Sequence, residues 1–272
     1  MSTRLLLSSL VAAAAVLSLT PVHAANVAGL TSNGYAENFD AMGTSGTTAP
    51  LGWSVFVGDS GSHTTWLTSI TANGSDSVAS MVAASSGLTA TSSPSGTKIT
   101  GFNAAYSSTN TADRVLATSP TSVTGAALQL TLSNDTGVAV TELVLSYDTR
   151  RFSTVSTVEE LPGYQLFYSL DGSSWTNVSA LNPSIAEVPN SIGVTTVSDA
   201  HITLSSAVAA GASVYLRWVD DNGKPTSPDQ IIGLNNVSVS AVLPAVPEPQ
   251  SLALAMAGLG VLGLVRRAKR HA

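Results

Sequence analysis

The densest group of oxygen-bearing side chains lies between residues 220 and 229. Asp220, Asp221, Asn222 and Asp229 fall within ten residues, and calcium takes about six to eight oxygen ligands, which loops between strands can supply. The spacing departs from the EF-hand pattern, because no Glu follows at the required position and two prolines interrupt the run. We therefore expect a solvated acidic loop rather than a metal site, with Asp220, Asp221 and Asp229 as weak candidate calcium ligands.

Residues that could form a catalytic set are present but are not arranged as one. Glu159 and Glu160 could be a glycosidase carboxylate pair, yet adjacent residues on a strand point to opposite faces. In a loop they could face one cleft, although no second signal supports this. A Ser-His-Asp triad would need His63 or His201, and neither lies near a Gly-x-Ser-x-Gly turn. Because the chain also lacks cysteine, which excludes thiol catalysis and iron–sulfur chemistry, we expect no enzyme and no resident cofactor.

Aromatic side chains could instead form a platform on which sugar rings stack. The chain has four Trp and six Tyr, but such residues often fill the core of a β-sandwich. Trp218 continues the alternation of Val214 and Leu216, which predicts a core position. Trp66 lies among Thr and Ser, so we single out Trp66 as the aromatic residue that could contact a ligand.

The last 27 residues consist of a proline-rich stretch, an uncharged segment and a basic cluster. Proline disfavours helix in the residue before it, so the chain enters residues 251–265 from an extended conformation. As a helix this segment would span roughly 22 Å, short of a hydrocarbon core of about 30 Å. Snorkelling of the flanking basic side chains can cover the difference. The pattern predicts a marginal transmembrane helix; a buried C-terminal helix and an unprocessed tail anchor are the alternatives.

The three parts together resemble the PEP-CTERM sorting tail of exported Gram-negative proteins. The resemblance covers residues 246–270, with Val246, Pro247, Glu248 and Pro249 as the sorting motif and Arg266, Arg267, Lys269 and Arg270 as the basic anchor. It implies recognition by an exosortase at the membrane, cleavage near the Pro-Glu-Pro triplet, and transfer to the cell surface or extracellular matrix.

Residues 1–24 have the organisation of a secretory signal peptide. Arg4 provides the positive start, Leu5 to Leu19 form the apolar run, and Val22-His23-Ala24 offers small residues to a signal peptidase. Basic residues at both outer ends place both termini in the cytoplasm before processing, with everything between them outside. Both terminal segments therefore predict that the residues between them are exported.

The segment between the signals is acidic and long enough for one domain. Of the 11 Lys and Arg, five lie in the two ends, and of the 17 Asp and Glu only Glu248 lies outside residues 25–247. The net charge of this segment is therefore about −10, which argues against a nucleic-acid partner, since phosphate binding needs a basic surface. We assign residues 25–243 to one domain and 244–272 to linker, motif, helix and basic tail.

Period-two alternation of apolar residues predicts strands with one buried and one wet face. The clearest examples are Leu128 to Leu132, Leu143 to Tyr147 and Tyr164 to Leu170. Further predicted strands are Trp53–Val57, Thr64–Ile70, Val78–Val82, Lys98–Phe102, Trp175–Leu181, Ala200–Ser205, Val214–Val219 and Val237–Val242.

Turn signals complete the expected fold. Asp171-Gly172 predicts a hairpin between two of the strands, because Gly tolerates the positive φ of a tight turn. Residues 83–97 are of low complexity and predict a loop. The sequence shows no amphipathic helix of useful length, so the expected class is all-β. We expect a two-sheet β-sandwich or jelly roll flanked by the signal helix and one C-terminal hydrophobic helix.

Three stretches resemble a lectin-like β-sandwich module that often precedes a PEP-CTERM tail. They are Glu37-Asn38-Phe39-Asp40 with Leu51-Gly52-Trp53, then Tyr168 to Trp175, then Leu216 to Gly223 with Gly233 to Val239 as a closing strand. The module commonly has Asp where Asn235 stands, which weakens a carboxylate role at that position.

These observations predict a non-enzymatic structural or adhesive protein of the cell surface or matrix, with exosortase and signal peptidase as processing partners and the membrane contacted through residues 251–265. The alternative is a carbohydrate-binding module of the exopolysaccharide matrix. A polysaccharide hydrolase would require two carboxyl groups facing one groove.

Overall fold

The computed structural model describes residues 26–57, 81–84, 101–120, 123, 125–153, 163–183, 192–221 and 231–244. The two predicted terminal helices, in residues 1–24 and 251–265, lie outside these ranges. Within them, no helix has both the length and the apolar character needed to cross a membrane.

The described chain forms thirteen β-strands and two short 3-10 helices, Asp40–Met42 and Ser179–Leu181. In chain order the strands are β1 (Ala28–Leu30), β2 (Tyr35–Glu37), β3 (Trp53–Val57), β4 (Val82–Ala84), β5 (Gly101–Ala105), β6 (Arg114–Thr118), β7 (Gly125–Asn134), β8 (Val140–Ser153), β9 (Gln165–Ser169), β10 (Thr176–Asn177), β11 (Gly193–Val208), β12 (Ser213–Asp221) and β13 (Ile231–Ala241).

These strands form two sheets. Sheet one has the order β10, β9, β12, β7, and the far edge of β7 is shared by β1 and β3. Sheet two has the order β11, β8, β13, β6, β5, β4, and β2 pairs with β13 beyond the end of β6. Most pairs are antiparallel; β1 with β7 and β4 with β5 are parallel.

The sheets pack face to face over one main apolar core, which confirms the all-β sandwich class. Trp53 of β3 and Trp218 of β12 stack with ring centroids 5.4 Å apart, and Tyr147 of sheet two meets Trp218 edge-on at 5.7 Å. Trp218 is fully buried, as its alternation with Val214 and Leu216 predicted. Burial of these three aromatic side chains between the sheets contributes hydrophobic free energy to folding.

The expectation of one wet face is wrong for the central strands of sheet one. In β7 the outward-facing Ala127 and Gln129 are buried as well as the inward-facing leucines, and all five residues of β9 are buried. The outer face of sheet one carries its own apolar cluster, in which Ala127, Phe167 and Val219 are buried. Alternation of residue type therefore marked the inner face correctly, but did not show that the other face is also covered.

The predicted hairpin at Asp171-Gly172 is confirmed, with a longer connection than expected. β9 and β10 pair antiparallel, and Gly172 has φ 74°. The Asp171 carboxylate accepts hydrogen bonds from the backbone N–H groups of Ser174 (2.6 Å) and Ser173 (2.7 Å), and these bonds hold the pKa of Asp171 below its ordinary value. The strand predicted over Trp175–Leu181 is shorter, because Ser179–Leu181 forms a 3-10 helix.

Three tyrosines should make the fold sensitive to alkaline pH. Burial raises the pKa of Tyr35 and of Tyr147 to about 12. The pKa of Tyr164 is raised well above its usual value, mainly by burial and to a smaller extent by the nearby Asp220 charge. An unfolded tyrosine has a pKa of about 10. Because the folded state holds these protons more tightly, their contribution is intact below pH ~10 and is lost as the pH rises through the folded pKa values.

We therefore expect cooperative unfolding above pH ~10, in which tyrosinate absorbance and loss of the β circular dichroism signal rise together. The Tyr147→Phe variant should move the midpoint to higher pH. Tyrosinate absorbance that develops fully while the β signal stays intact would contradict the prediction.

Candidate functional site

A buried polar network fixes the segment that leads from β2 to β3. Arg114 of β6 is fully buried, and its guanidinium donates from Nε to Asn103 Oδ1 (2.8 Å) and from Nη2 to the Asn103 carbonyl (2.9 Å). The Asn103 amide donates in turn to the carbonyls of Gly43 (2.8 Å) and Gly46 (2.9 Å). The Asp40 carboxylate accepts the Arg114 backbone N–H at 2.7 Å. Because these bonds tie the loop to β5 and β6, we interpret the network as a structural anchor for this loop.

The weak calcium candidates are not assembled by the described residues. Asp220 and Asp221 belong to strand β12, so the expectation of an acidic loop is wrong for both. Asp220 is buried and accepts a hydrogen bond from Thr118 Oγ1 at 2.5 Å, and Thr118 Oγ1 lies 3.0 Å from the Tyr164 hydroxyl. No group of three acidic or histidine side chains suited to a metal occurs among the residues that the structure describes. Asp229 lies outside them.

Most other predicted site residues also lie outside the described ranges. These are Trp66, His63, Glu159, Glu160, Val246, Pro247, Glu248, Pro249, Arg266, Arg267, Lys269 and Arg270. His201 lies on β11, exposed, with Nδ1 2.6 Å from Glu142 Oε1. A surface pair of this kind contributes little to stability.

The outer face of sheet two gathers a polar and aromatic group that no sequence motif marked. We call Tyr106, Asp113, Asp148, Arg150, Asn235 and Asn236 the Arg150 cluster. The register of β8 and β13 places Arg150 opposite Gly233 and Asp148 opposite Asn235. Arg150 stacks on Tyr106, and the Tyr106 N–H donates to the Asp113 carbonyl at 2.8 Å. The cluster is therefore a closed circle of neighbours drawn from four parts of the chain.

The Arg150 guanidinium contacts two aromatic rings and also attracts the Asp113 carboxylate electrostatically. Its guanidinium carbon lies 4.4 Å from the centroid of the Tyr106 ring and 5.3 Å from that of Phe152. Nε is buried without a hydrogen-bond partner, and no hydrogen bond or ion pair of this guanidinium occurs in the described part of the chain. An unsatisfied buried donor costs about 1–3 kcal/mol, so this cation is retained against a penalty.

Arg217 on sheet one is also stacked on aromatic rings, but its guanidinium donates hydrogen bonds as well. Its guanidinium carbon lies 3.9 Å from the Trp175 centroid and 4.7 Å from the Phe56 centroid. Nε and Nη2 both donate to Gln129 Oε1, at 3.1 and 2.6 Å. The stacking resembles that at Arg150, but at Arg217 both Nε and Nη2 have an acceptor. Burial lowers the pKa of Arg217 to about 10.

Two carboxylates flank Arg150, and each is fixed by neutral donors. Asp113 accepts from Asn235 Nδ2 (3.0 Å) and Asn110 Nδ2 (3.1 Å). Burial raises the pKa of Asp113, and the hydrogen bond from Asn235 opposes that rise. Asp148 accepts from Asn236 Nδ2 (2.8 Å) and Thr196 Oγ1 (2.5 Å). The carboxylate oxygens are thus held at fixed positions.

A bulge in β13 brings the two asparagines into place. Register shifts between Asn235 and Ser238, and Asn236 takes φ 50°, a conformation that Asn tolerates better than most residues. The Asn236 N–H donates to the side-chain oxygen of its own neighbour Asn235 at 2.8 Å. A surface depression of about 440 Å³ lined by Glu37, Asn38 and Asn236 adjoins the cluster at this point.

Sequence reasoning missed the Arg150 cluster because its members are separated by up to 130 positions. The alternation Asp148-x-Arg150 on a strand was readable, since both side chains must share one face. The pairing of that face with Asn235 depends on a register that a single sequence does not encode. The sequence did single out Asn235 as a departure from the usual Asp, and the structure shows its amide donating to Asp113.

The clearest comparison concerns the tail. Residues 245–270 match the PEP-CTERM protein-sorting motif, which confirms the resemblance drawn from residues 246–270. The motif indicates an exosortase-sorted extracellular protein, exported to the cell envelope or surface. No curated protein matches the chain.

Three solved structures show a distant likeness to the chain. An arabinose-bound α-L-arabinofuranosidase matches at 12% identity and TM-score 0.31 over 47% of this chain, which spans about a fifth (19%) of that enzyme. A cyclase from Fischerella sp. matches at 14% identity and TM-score 0.36, covering 81% of this chain and 100% of that one. An adhesin domain of Lys-gingipain from Porphyromonas gingivalis matches at 7% identity and TM-score 0.27, covering 47% and 74%. Likeness at this level carries no argument about activity.

Proposed function

Taking as premise a chain sorted through its PEP-CTERM motif, we propose that the exported sandwich is a structural and adhesive component of the cell surface or extracellular matrix and acts without catalysis. The observation that carries the proposal is the joining of this motif to a two-sheet domain held by its own core. The net charge of about −10 over residues 25–247 supports a soluble, hydrated surface component. Signal peptidase cleavage after Ala24 and temporary anchoring through residues 251–265 complete the route.

Removing the proline-rich triplet should abolish delivery. In a variant with Pro247, Glu248 and Pro249 all replaced by alanine, we expect the C-terminus to remain at Ala272 and the chain to stay with the inner membrane. Exosortase would lose its recognition sequence, and the extended entry to the apolar segment would be lost as well. Mass spectrometry of the C-terminus and fractionation of cells measure both results.

Pro244→Ala, just outside the matched residues, is the control and should be processed normally. A native chain whose mature form still ends at Ala272 would defeat the processing step.

For the adhesive role, cells lacking the chain should show weaker cohesion of their matrix than cells that produce it, and equal cohesion would count against that role.

Carbohydrate recognition is the second candidate function, and the Arg150 cluster favours it. The cluster combines an aromatic ring, fixed acceptors and unused donors on an outer sheet face. Trp66 stays a separate candidate for sugar contact. Loss of glycan-array signal in a Trp66→Ala variant would support it, and an unchanged signal would remove it. We propose no resident cofactor for either function.

A further inference from the structure

We propose that the Arg150 cluster binds a neutral polysaccharide by gripping two neighbouring hydroxyl groups of one sugar ring. The inference rests on the proposed adhesive function and names the material to which the domain would adhere. Its occupant is a polymer of the extracellular matrix with vicinal hydroxyls and no carboxylate or sulfate groups.

The donors come from Arg150. A guanidinium presents several N–H groups in a rigid planar fork, and the described chain accepts no hydrogen bond from Arg150; because Nε is buried, the two terminal Nη groups are the donors offered to a ligand. The side chain is partly exposed and its plane is set by Tyr106 beneath it. Two adjacent hydroxyl oxygens of a sugar match such a fork, because each can accept one N–H bond.

The acceptors come from Asp113 and Asp148. Each carboxylate oxygen accepts one hydrogen bond from Asn110, Asn235, Asn236 or Thr196. An ionised carboxylate has about four lone-pair positions, so each oxygen can still accept a ligand hydroxyl. A sugar hydroxyl both donates and accepts, and this cluster offers partners for both roles.

Charge decides between neutral and acidic sugars. Two carboxylates, Asp113 and Asp148, flank one guanidinium, so the cluster has a formal charge of −1. A uronic acid or sulfated sugar would meet like charges, which in a partly buried site is costly. Neutral hydroxyls gain hydrogen bonds to charged groups without this repulsion.

The cluster is also rigid before any ligand arrives. The strand that carries Arg150, β8, lies between β11 and β13. The absence of a side chain at Gly233 makes room for the Phe152 ring beneath Arg150. A Cβ at position 233 would lie 2.9 Å from Phe152 Cε2 and 2.7 Å from Val115 Cγ2. Side chains already held in place lose little entropy on binding. Weak contacts of this kind gain strength when repeated along a polymer on a crowded surface.

The test uses the full chain in a mild detergent, run by affinity electrophoresis through gels containing galactomannan, xylan or dextran, with alginate as the acidic counterpart. We expect retention by at least one neutral polymer, and at least a tenfold weaker Kd for Arg150→Met and for Asp148→Asn. Arg150→Lys should also lose most of the affinity, because it keeps the charge but not the fork. His201→Ala, an exposed change on the same sheet face, should bind like the native chain.

Three results would overturn the inference: no neutral polymer retains the native chain, alginate alone retains it, or the Arg150 and Asp148 variants bind normally. Thermal unfolding of each variant checks that it is folded. If Arg150→Met fails to fold, the exposed Asn236→Ala variant takes its place, with the same expected loss. If polysaccharide binding fails but cells that produce the chain still show stronger matrix cohesion than cells lacking it, only the saccharide site is disproved. If binding fails and cohesion is also equal in the two kinds of cell, the adhesive function is disproved as well.

Discussion

Replacing Trp218 by alanine should lower the free energy of unfolding by about 3–5 kcal/mol, the range for large aromatic truncations in a core. Trp218 is fully buried and lies between Trp53 of its own sheet and Tyr147 of the other. Its removal would leave a cavity at the centre of the contact between the sheets, where close packing limits relaxation. Urea unfolding followed by circular dichroism measures the loss.

The matched control is Trp175→Ala. Trp175 is partly exposed on the outer face of sheet one, where it stacks on Arg217, so its removal should cost only roughly 1–2 kcal/mol. Equal losses for the two variants would mean that Trp218 does not carry the core as the packing indicates.

A comparable effect is expected at Asn103, for a polar rather than an apolar reason. Asn103→Ala would leave the buried Arg114 Nε without its acceptor, and the carbonyls of Gly43 and Gly46 without their donor. Each buried group left unsatisfied costs about 1–3 kcal/mol, and more when charged. We expect a loss of roughly 3 kcal/mol or more, measured by urea unfolding, and faster amide exchange in residues 40–52.

Asn110→Ala is the control for this substitution. Its amide donates to Asp113 at 3.1 Å on the exposed surface, so water can replace it and the loss should stay within about 0.5 kcal/mol. Slow, unchanged amide exchange in residues 40–52 of Asn103→Ala would show that the network does not anchor that segment.

Patterns of residue type predicted the strands that line the main core. β3 lies where Trp53–Val57 was expected, and the leucines of β7 and β8 face inward as their spacing indicated. The three-residue strands β1 and β2 were missed because such short segments show no alternation. β6 was missed because its five residues are buried on both faces, so the sequence Arg-Val-Leu-Ala-Thr has no period.

The candidate site was largely beyond a single sequence. Arg150 follows Asp148 with strand spacing, but its neighbours Tyr106 and Asn236 arrive through pairing across sheet two. The bulge at Asn235-Asn236 shifts that pairing locally, and it depends on one residue adopting a left-handed φ. The sorting tail, by contrast, could be identified from the sequence alone, because it is defined by the order of its segments along the chain and not by tertiary contacts.

If the exported chain is retained through its C-terminus, the position of β13 has a mechanical consequence. β13 is the last strand of the described domain and runs between β8 on one side and β6 and β2 on the other. A pull on the tail would therefore load an inner strand in shear, so many inter-strand bonds must yield at once instead of opening one by one from an edge. Such a domain would withstand a larger pulling force from flow at the cell surface than a domain whose inter-strand hydrogen bonds break one at a time.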